Sequence, residues 1–303
     1  MKKVIVTGAT SFLGRNVIRE LSKKDYMVYA FCRKSSSMVK TLAEIENVQI
    51  VYGDLSNIKE TIVAQVDSAD IFVHFAWDGS GRLGRADGNV QQKNAEYAID
   101  ALRVAKQLGC SKFIFPGSQA EYGVRHDIMR ETDECHPISA YGKAKLLFQD
   151  IAEEQVDLSD IELIHLRIFS IYGFGDRAGT LVDSCIDSFN SDSSIELSSC
   201  KQLWNYLYID DFVKIIELFI QKDVPSGVYN ISSDDTRALK SFVMDIWDES
   251  TKKGKCIYGN DKFNPEGTPS LCPDISKMMN IIGSFSFTSF RQGIREIMNY
   301  KGL

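Results

Sequence analysis

Two periods of apolar residues alternate through the first half of the chain. Short apolar runs occur at Lys2–Thr7, Met27–Cys32, Val48–Tyr52, Ile71–Phe75, Lys112–Pro116 and Glu162–Arg167. Runs of this length predict strands covered on both faces. Between them the spacing becomes helical, with Val17, Ile18 and Leu21 on one face, then Ala95, Ala98, Ile99, Leu102 and Ala105 within Asn89–Leu108. A further helix is expected from near Ile58 and another around Tyr141. Alternating strands and helices predict an α/β fold, a doubly wound parallel sheet of the Rossmann kind. After Asp211 the pattern weakens. Helices are expected over Val213–Lys222, Leu239–Ser250 and Phe290–Tyr300, a strand over Gly227–Ile231, and a loop through Pro265, Pro269 and Pro273. Residues 1–170 are expected to form one domain built on this sheet, and residues 171–303 mainly a smaller C-terminal lobe, with segments around 204–231 returning to the first domain.

The first strand runs into Gly8-Ala9-Thr10-Ser11-Phe12-Leu13-Gly14 and then a helix. Strand, glycine turn and helix in that order suit a dinucleotide, whose pyrophosphate sits at the helix N-terminus where unpaired N–H groups point. Ser11 stands where the middle glycine is expected, and is small enough for the backbone to approach the pyrophosphate. The second strand ends in Cys32-Arg33-Lys34-Ser35-Ser36. A carboxylate there would favour NAD(H), whereas cations and hydroxyls accept a 2′-phosphate, so NADP(H) is favoured with NAD(H) possible. A solvated basic loop explains the same residues.

Tyr141 and Lys145 are four residues apart, one turn from each other on a helix face, and Ser118 lies 23 residues before the tyrosine. A phenol ordinarily titrates near ~10, and an ammonium beside it favours the phenolate, so a proton can be exchanged nearer neutrality. A serine hydroxyl can polarise the same substrate oxygen. Such a set moves one proton at an alcohol or ketone carbon while a cofactor carries the hydride. Tyr-x-x-x-Lys also arises by chance, and it gains weight from the cofactor turn upstream.

Thr7-Gly8-x-x-Ser11-x-x-Gly14, Gly53-Asp54-Leu55, Val73-His74-Phe75-Ala76, Asn94, Ser118-x-x-x-Tyr122-Gly123, Tyr141-x-x-x-Lys145 and Leu166-Arg167 appear in that order. Together they resemble the extended short-chain dehydrogenase/reductase family, the nucleotide-sugar epimerases, dehydratases and reductases. The resemblance implies that Gly8, Thr10, Ser11, Phe12, Leu13, Gly14, Arg33, Lys34, Ser35, Asp54, Leu55, Phe75, Ala76, Trp77, Asn94, Tyr141, Lys145 and Ile168 hold the cofactor. Asp54 would contact adenine, or simply cap the helix near Ile58. Asp78 and Arg82, in the glycine-rich loop after the fourth strand, are candidates for the sugar or members of a surface loop, and His74 is expected to be a satisfied core histidine. Gln119, Ser170, Arg177 and Trp204 complete the substrate candidates. Trp204 replaces an arginine that commonly grips the diphosphate, and ordinary packing is its other reading.

Dehydratases of the family carry Asp-Glu directly after the catalytic Ser or Thr, and Gln119-Ala120 cannot replace that acid and base. The segments around Ser118 and Trp204 look more like nucleoside-diphosphate 4-keto-6-deoxyhexose reductases. The expected activity is therefore reduction at C4, in which Ser118, Tyr141 and Lys145 are catalytic, in nucleotide-sugar metabolism for surface polysaccharide. A 4-epimerase using the same three residues, or a non-catalytic NADP-binding protein, are the rivals. The resemblance also implies a homodimer through the helices bearing Asn94 and Tyr141, although a core-facing stripe explains the same alanines.

With 303 residues, 44% of them hydrophobic, the chain can bury a large core. Its net charge of -6 and lack of a basic stripe argue against nucleic-acid or anionic-membrane partners. Seven cysteines without C-x-x-C spacing suit reduced thiols in a cytoplasmic protein and no metal site. No leader is expected, since Met1-Lys2-Lys3 runs straight into the first strand, and Asp187–Ser194 is expected to be a solvated loop.

Overall fold

The computed structural model describes residues 1–81, 83–259 and 269–303, so Arg82 and Pro265 lie outside the described residues. The chain opens with β1 (Lys2–Thr7), α1 (Phe12–Leu21), β2 (Tyr26–Cys32), α2 (Val39–Ala43), β3 (Val48–Tyr52) and α3 (Ile58–Val63). Next come β4 (Ile71–His74), α4 (Gly88–Gln107), β5 (Lys112–Ser118), α5 (Ala140–Gln155) and β6 (Glu162–Ile168). They are followed by β7 (Ser170–Tyr172), α6 (Leu181–Asn190), β8 (Ser194–Leu197), β9 (Leu203–Tyr208), α7 (Ile209–Gln221) and β10 (Gly227–Ile231). The last are β11 (Thr236–Ala238), α8 (Leu239–Glu249), β12 (Lys255–Tyr258), α9 (Ser276–Ile282) and α10 (Phe290–Lys301).

The main sheet has seven strands in the order β10-β6-β5-β4-β1-β2-β3. Strand order reverses at β1, whose neighbours β2 and β4 are both parallel to it. This is the doubly wound arrangement the alternation predicts, and the reversal opens a crevice at the carboxyl ends of the strands. Val4, Val6, Phe72, Val73, Phe113 and Ile114 are completely buried, which explains why these strands read as continuous apolar runs. Aromatic stacking reinforces the face below α5, where Phe115 lies 3.8 Å from Phe148 between ring centroids.

The chain divides into two compact units. The first holds Met1–Gly123, Glu134–Arg167 and Val213–Tyr229; the second holds Val124–Asp133, Ile168–Phe212 and Asn230–Leu303. In the second, β9 pairs antiparallel with β11 and parallel with β7, while β8 and β12 form a separate parallel pair. Tyr172, Tyr206, Phe242 and Phe290 make its aromatic centre. Gly293 lets α10 close on it, because a Cβ there would lie 2.3 Å from the Tyr172 hydroxyl.

The solvated loop expected over Asp187–Ser194 holds only for residues 191–193, which are exposed between two elements. Asp187–Asn190 are the last turn of α6, and Ser194 begins β8. Val182, Cys185, Ile186 and Phe189 are buried at helical spacing, so the apolar stripe that fixes this helix begins upstream of the polar run.

Candidate functional site

The turn after β1 is shaped for close approach. Gly8 has φ +63, and a Cβ on it would lie 2.7 Å from Ala76 N. Gly14 packs even closer, since its Cβ would lie 2.3 Å from Gly8 O. Both glycines are required by geometry, one by backbone conformation and contact, the other by contact alone. Ser11 is the N-cap of α1, its hydroxyl accepting from Gly14 N at 3.1 Å. Thr10, Phe12 and Leu13 are partly buried around this turn. A narrow turn with small residues at its close contacts, leading into a capped ten-residue helix, fits the pyrophosphate of a dinucleotide.

At the next strand ends the basic residues are occupied with neighbours. Arg33 pairs with Asp78 at 3.6 Å, and Lys34 lies 5.6 Å from the Tyr52 ring centroid, with Ser35 exposed beside them. Asp54 caps the single 3-10 turn Leu55–Asn57 that leads into α3, its carboxylate accepting from Ser56 N at 3.2 Å. The capping role is therefore present in the structure, and Leu55 is buried beneath it.

After β4 the chain is bolted to α4. His74 is completely buried, its Nδ1 hydrogen-bonded to Thr7 Oγ1 at 3.0 Å, while Nε2 has no partner among the described residues. Burial pulls its pKa down to about 3, with Lys145 adding to the effect. The core placement matches expectation; the ring is satisfied on one side only. Phe75 is buried, and Ala76 N donates to Thr7 Oγ1 at 3.2 Å. Asn94 accepts from Asp78 N at 2.9 Å and donates to Asp78 O at 2.8 Å. Gln91, fully buried and not singled out by the sequence reading, accepts from Trp77 Nε1 at 2.7 Å and donates to Gly84 O at 2.9 Å. These two amides hold the Trp77–Asp87 loop from its first residues to its last turn.

Ser118 ends β5 and caps the turn Gln119–Glu121. Its hydroxyl accepts from Ala120 N at 3.2 Å, which leaves the hydroxyl hydrogen to be donated elsewhere. Its own N–H donates to Glu121 Oε1 at 2.6 Å. Glu121 is completely buried and also receives His165 Nε2 at 3.0 Å and Arg167 Nε at 2.9 Å. Burial alone would raise its pKa, but His165, Arg167 and the Ser118 amide together hold it below the usual carboxylate range. Sequence reading passed over Glu121, His165 and Arg167 as a group because they lie 44 and 46 residues apart.

Ser139 caps α5 through Gly142 N, so Tyr141 and Lys145 fall in the first two turns. Lys145 is buried at 1% exposure, and its ammonium donates to Pro116 O at 2.7 Å. It lies 3.4 Å from the Trp77 ring centroid and 5.6 Å from that of Tyr141. Burial drives the Lys145 pKa well below the usual lysine range; Glu121 opposes that shift and Arg85 adds to it. Tyr141 is half-buried, with Trp77 edge-on at 6.1 Å and the Arg85 guanidinium 4.1 Å from its ring centroid. One unit thus brings the cofactor turn, Ser118, Gln119, Tyr141 and Lys145 into one fold.

The cofactor candidate Ile168 and the substrate candidates Ser170, Arg177 and Trp204 belong to the second unit. Ile168 ends β6, Ser170 opens β7 opposite Tyr206, and Arg177 is exposed with its backbone N donating to Asp176 at 2.7 Å. Trp204 lies on β9, its ring 6.4 Å from Tyr206, and its Nε1 is buried without a partner among the described residues. No cluster of three or more His, Cys, Asp or Glu suited to a metal occurs among the described residues. No helix among them is long and apolar enough to cross a membrane.

Comparison with known proteins agrees with the fold. The sequence profile of the NAD dependent epimerase/dehydratase family matches residues 4–232. CDP-abequose synthase of Salmonella muenchen is 23% identical over 307 aligned positions, covering 99% of this chain and 98% of that protein. Among solved structures, UDP-glucuronic acid 4-epimerase from Bacillus cereus, in complex with UDP-glucuronic acid and NAD, superposes with a TM-score of 0.84. It is 20% identical and covers 98% of each chain. The Bordetella bronchiseptica enzyme WbmG in complex with NAD gives a TM-score of 0.84 at 16% identity, over 99% of this chain and 94% of that one.

Proposed function

Because the chain belongs to the NAD-dependent epimerase/dehydratase family, we propose that it reduces the C4 keto group of a nucleoside-diphosphate 4-keto-6-deoxyhexose. The observation that carries this reading is the placement of Glu121. It is the one carboxylate in the turn after β5, and it is engaged by Ser118 N, His165 and Arg167. The turn therefore offers the substrate a hydroxyl and no acid–base carboxylate, which disfavours elimination of water and suits oxidoreduction at one carbon. The similarity to a CDP-sugar synthase over nearly the whole chain supports the same substrate class.

Tyr141 gives the C4 oxygen its proton, and Ser118 donates its free hydroxyl hydrogen to that oxygen. Lys145 steadies the cofactor ribose and, when charged, favours ionisation of Tyr141. When bound, the nicotinamide supplies the hydride. Gly8, Ser11 and Gly14 receive the pyrophosphate, with Ala76 and Trp77 on the nicotinamide side. Arg33, Lys34 and Ser35 support NADP(H), since no carboxylate stands at the end of β2. Both solved relatives named above contain NAD, so the two cofactors are to be compared directly. The second unit is read as the lobe that receives the nucleotide sugar, through Ser170, Arg177 and Trp204. A homodimer through α4 and α5 completes this reading.

The test is loss of reduced-nicotinamide absorbance when the protein meets a panel of nucleoside-diphosphate 4-keto-6-deoxyhexoses with NADPH or NADH. Stoichiometric loss with one member supports the reductase and names its substrate. Interconversion of UDP-hexoses without added cofactor, and no loss on the panel, would transfer the assignment to a 4-epimerase. Tyr141→Phe is expected to lower turnover by about 10²–10⁴-fold with cofactor affinity retained.

A further inference from the structure

We propose that Arg85 is a positioning residue for Tyr141, packing its guanidinium on the ring, fixing the ring plane and placing a second positive charge over it. The guanidinium carbon lies 4.1 Å from the Tyr141 centroid, closer than the 5.6 Å of the Lys145 ammonium. Trp77 closes another side of the ring at 82°. The tyrosine is therefore held between an indole edge and a cation.

The support under Arg85 is built for that placement. Arg85 sits in the one-turn 3-10 helix Gly84–Ala86, and its N–H donates to Gly81 O at 3.0 Å. Gly84 packs so tightly that a Cβ would lie 2.4 Å from Gly79 Cα. Gln91 ties Gly79 O at 3.1 Å and Gly84 O at 2.9 Å, and Asp87 caps α4 directly behind. Two glycines, one buried amide and one cap thus fix the backbone that carries Arg85.

The chemistry needs a charge that persists. Among the described residues Lys145 from α5 and Arg85 and Trp77 from the loop after β4 face Tyr141, while Glu121, held by His165 and Arg167, acts on Lys145. Lys145 is drawn to Pro116 O and the Trp77 face, and burial favours its neutral form. A guanidinium cannot be deprotonated in a protein, so it keeps a positive charge on the phenol when the lysine does not. A planar guanidinium can also stack flat on an aromatic face, whereas an ammonium meets a ring as a point charge.

The inference rests on Tyr141 as proton donor, and its test does not require the substrate. The phenolate ultraviolet band is titrated in the full-length protein, and subtraction of Tyr141→Phe isolates the Tyr141 signal. The wild-type phenol is expected to ionise below the ordinary tyrosine range. Arg85→Met should raise its midpoint by about one pH unit, and Arg85→Lys should restore only part of that shift. Circular dichroism and cofactor binding, expected unchanged, verify that the variants are folded. With a turned-over substrate, Arg85→Met should lower kcat about tenfold and move the pH profile, leaving sugar KM within about threefold. An unmoved Tyr141 titration in Arg85→Met overturns the proposal, as does a wild-type midpoint in the ordinary range. A raised KM with an unmoved titration also overturns it, making Arg85 a substrate contact. A shifted titration with no substrate turned over leaves Arg85 in place and refutes the reductase reading alone.

Discussion

Charge is handled oppositely in the two units. In the first, Glu121, His165, Arg167 and Lys145 are between 0 and 3% exposed. In the second, Arg237, Arg291 and Arg295 are 31%, 42% and 62% exposed, and they join β11, α8 and α10 through Asp245, Asp248 and Glu249. A buried ion pair is often no more stabilising than apolar residues of the same volume, because desolvation offsets the attraction. Its presence in the first unit is explained by what it holds, the Ser118 peptide at the end of β5. The second unit's ladder reaches solvent through its arginines, although Asp245 is only 7% exposed, so each of its pairs is screened and contributes less.

The sharpest way to break that contrast is Glu121→Ala. It removes the carboxylate that faces the buried Arg167 and His165, and a loss of about 3–5 kcal/mol in chemical denaturation is expected. A loss below about 1 kcal/mol would mean the cluster is solvated like the ladder. A smaller effect is expected from His74. Its folded pKa, about 3, lies below its unfolded value, so stability from keeping it neutral is full above the unfolded pKa. That stability is lost as pH falls towards 3, and unfolding then takes up a proton at this site. Between roughly pH 6 and 4 the group contributes a slope of about 1.4 kcal/mol per pH unit, which His74→Asn should remove from a stability–pH curve. The smallest effect is Arg291→Ala, expected to cost less than about 1 kcal/mol and to shrink further in high salt. A cost comparable to that of Glu121→Ala would erase the distinction between the units.

The first unit was the more legible of the two for a physical reason. Its inner strands are covered on both faces, and its longer helices show one apolar stripe, so those elements announce themselves locally. Gly8 and Gly14 stand in the strand–turn–helix order the sequence displays, and the structure shows a contact that forbids a Cβ at each. In the second unit β7, β8, β11 and β12 have three or four residues, too few for a period to register. Helix α6 was misread at its end because Asp187, Ser188 and Asn190 face away from the buried Phe189 and dominate the local composition.

Residue types at fixed short spacing determined the doubly wound sheet, the glycine turn after β1 and the Tyr141–Lys145 pair, since periodicity and helix geometry act over a few residues. Tertiary structure alone decided that Glu121 would meet His165 and Arg167, that Gln91 would brace the loop after β4, and that Arg85 would lie on Tyr141. Those contacts join positions 44, 46, 7 and 56 residues apart, on different strands, turns and helices. Their meaning comes from burial: a carboxylate or guanidinium looks like solvated surface in the sequence until the fold removes its water.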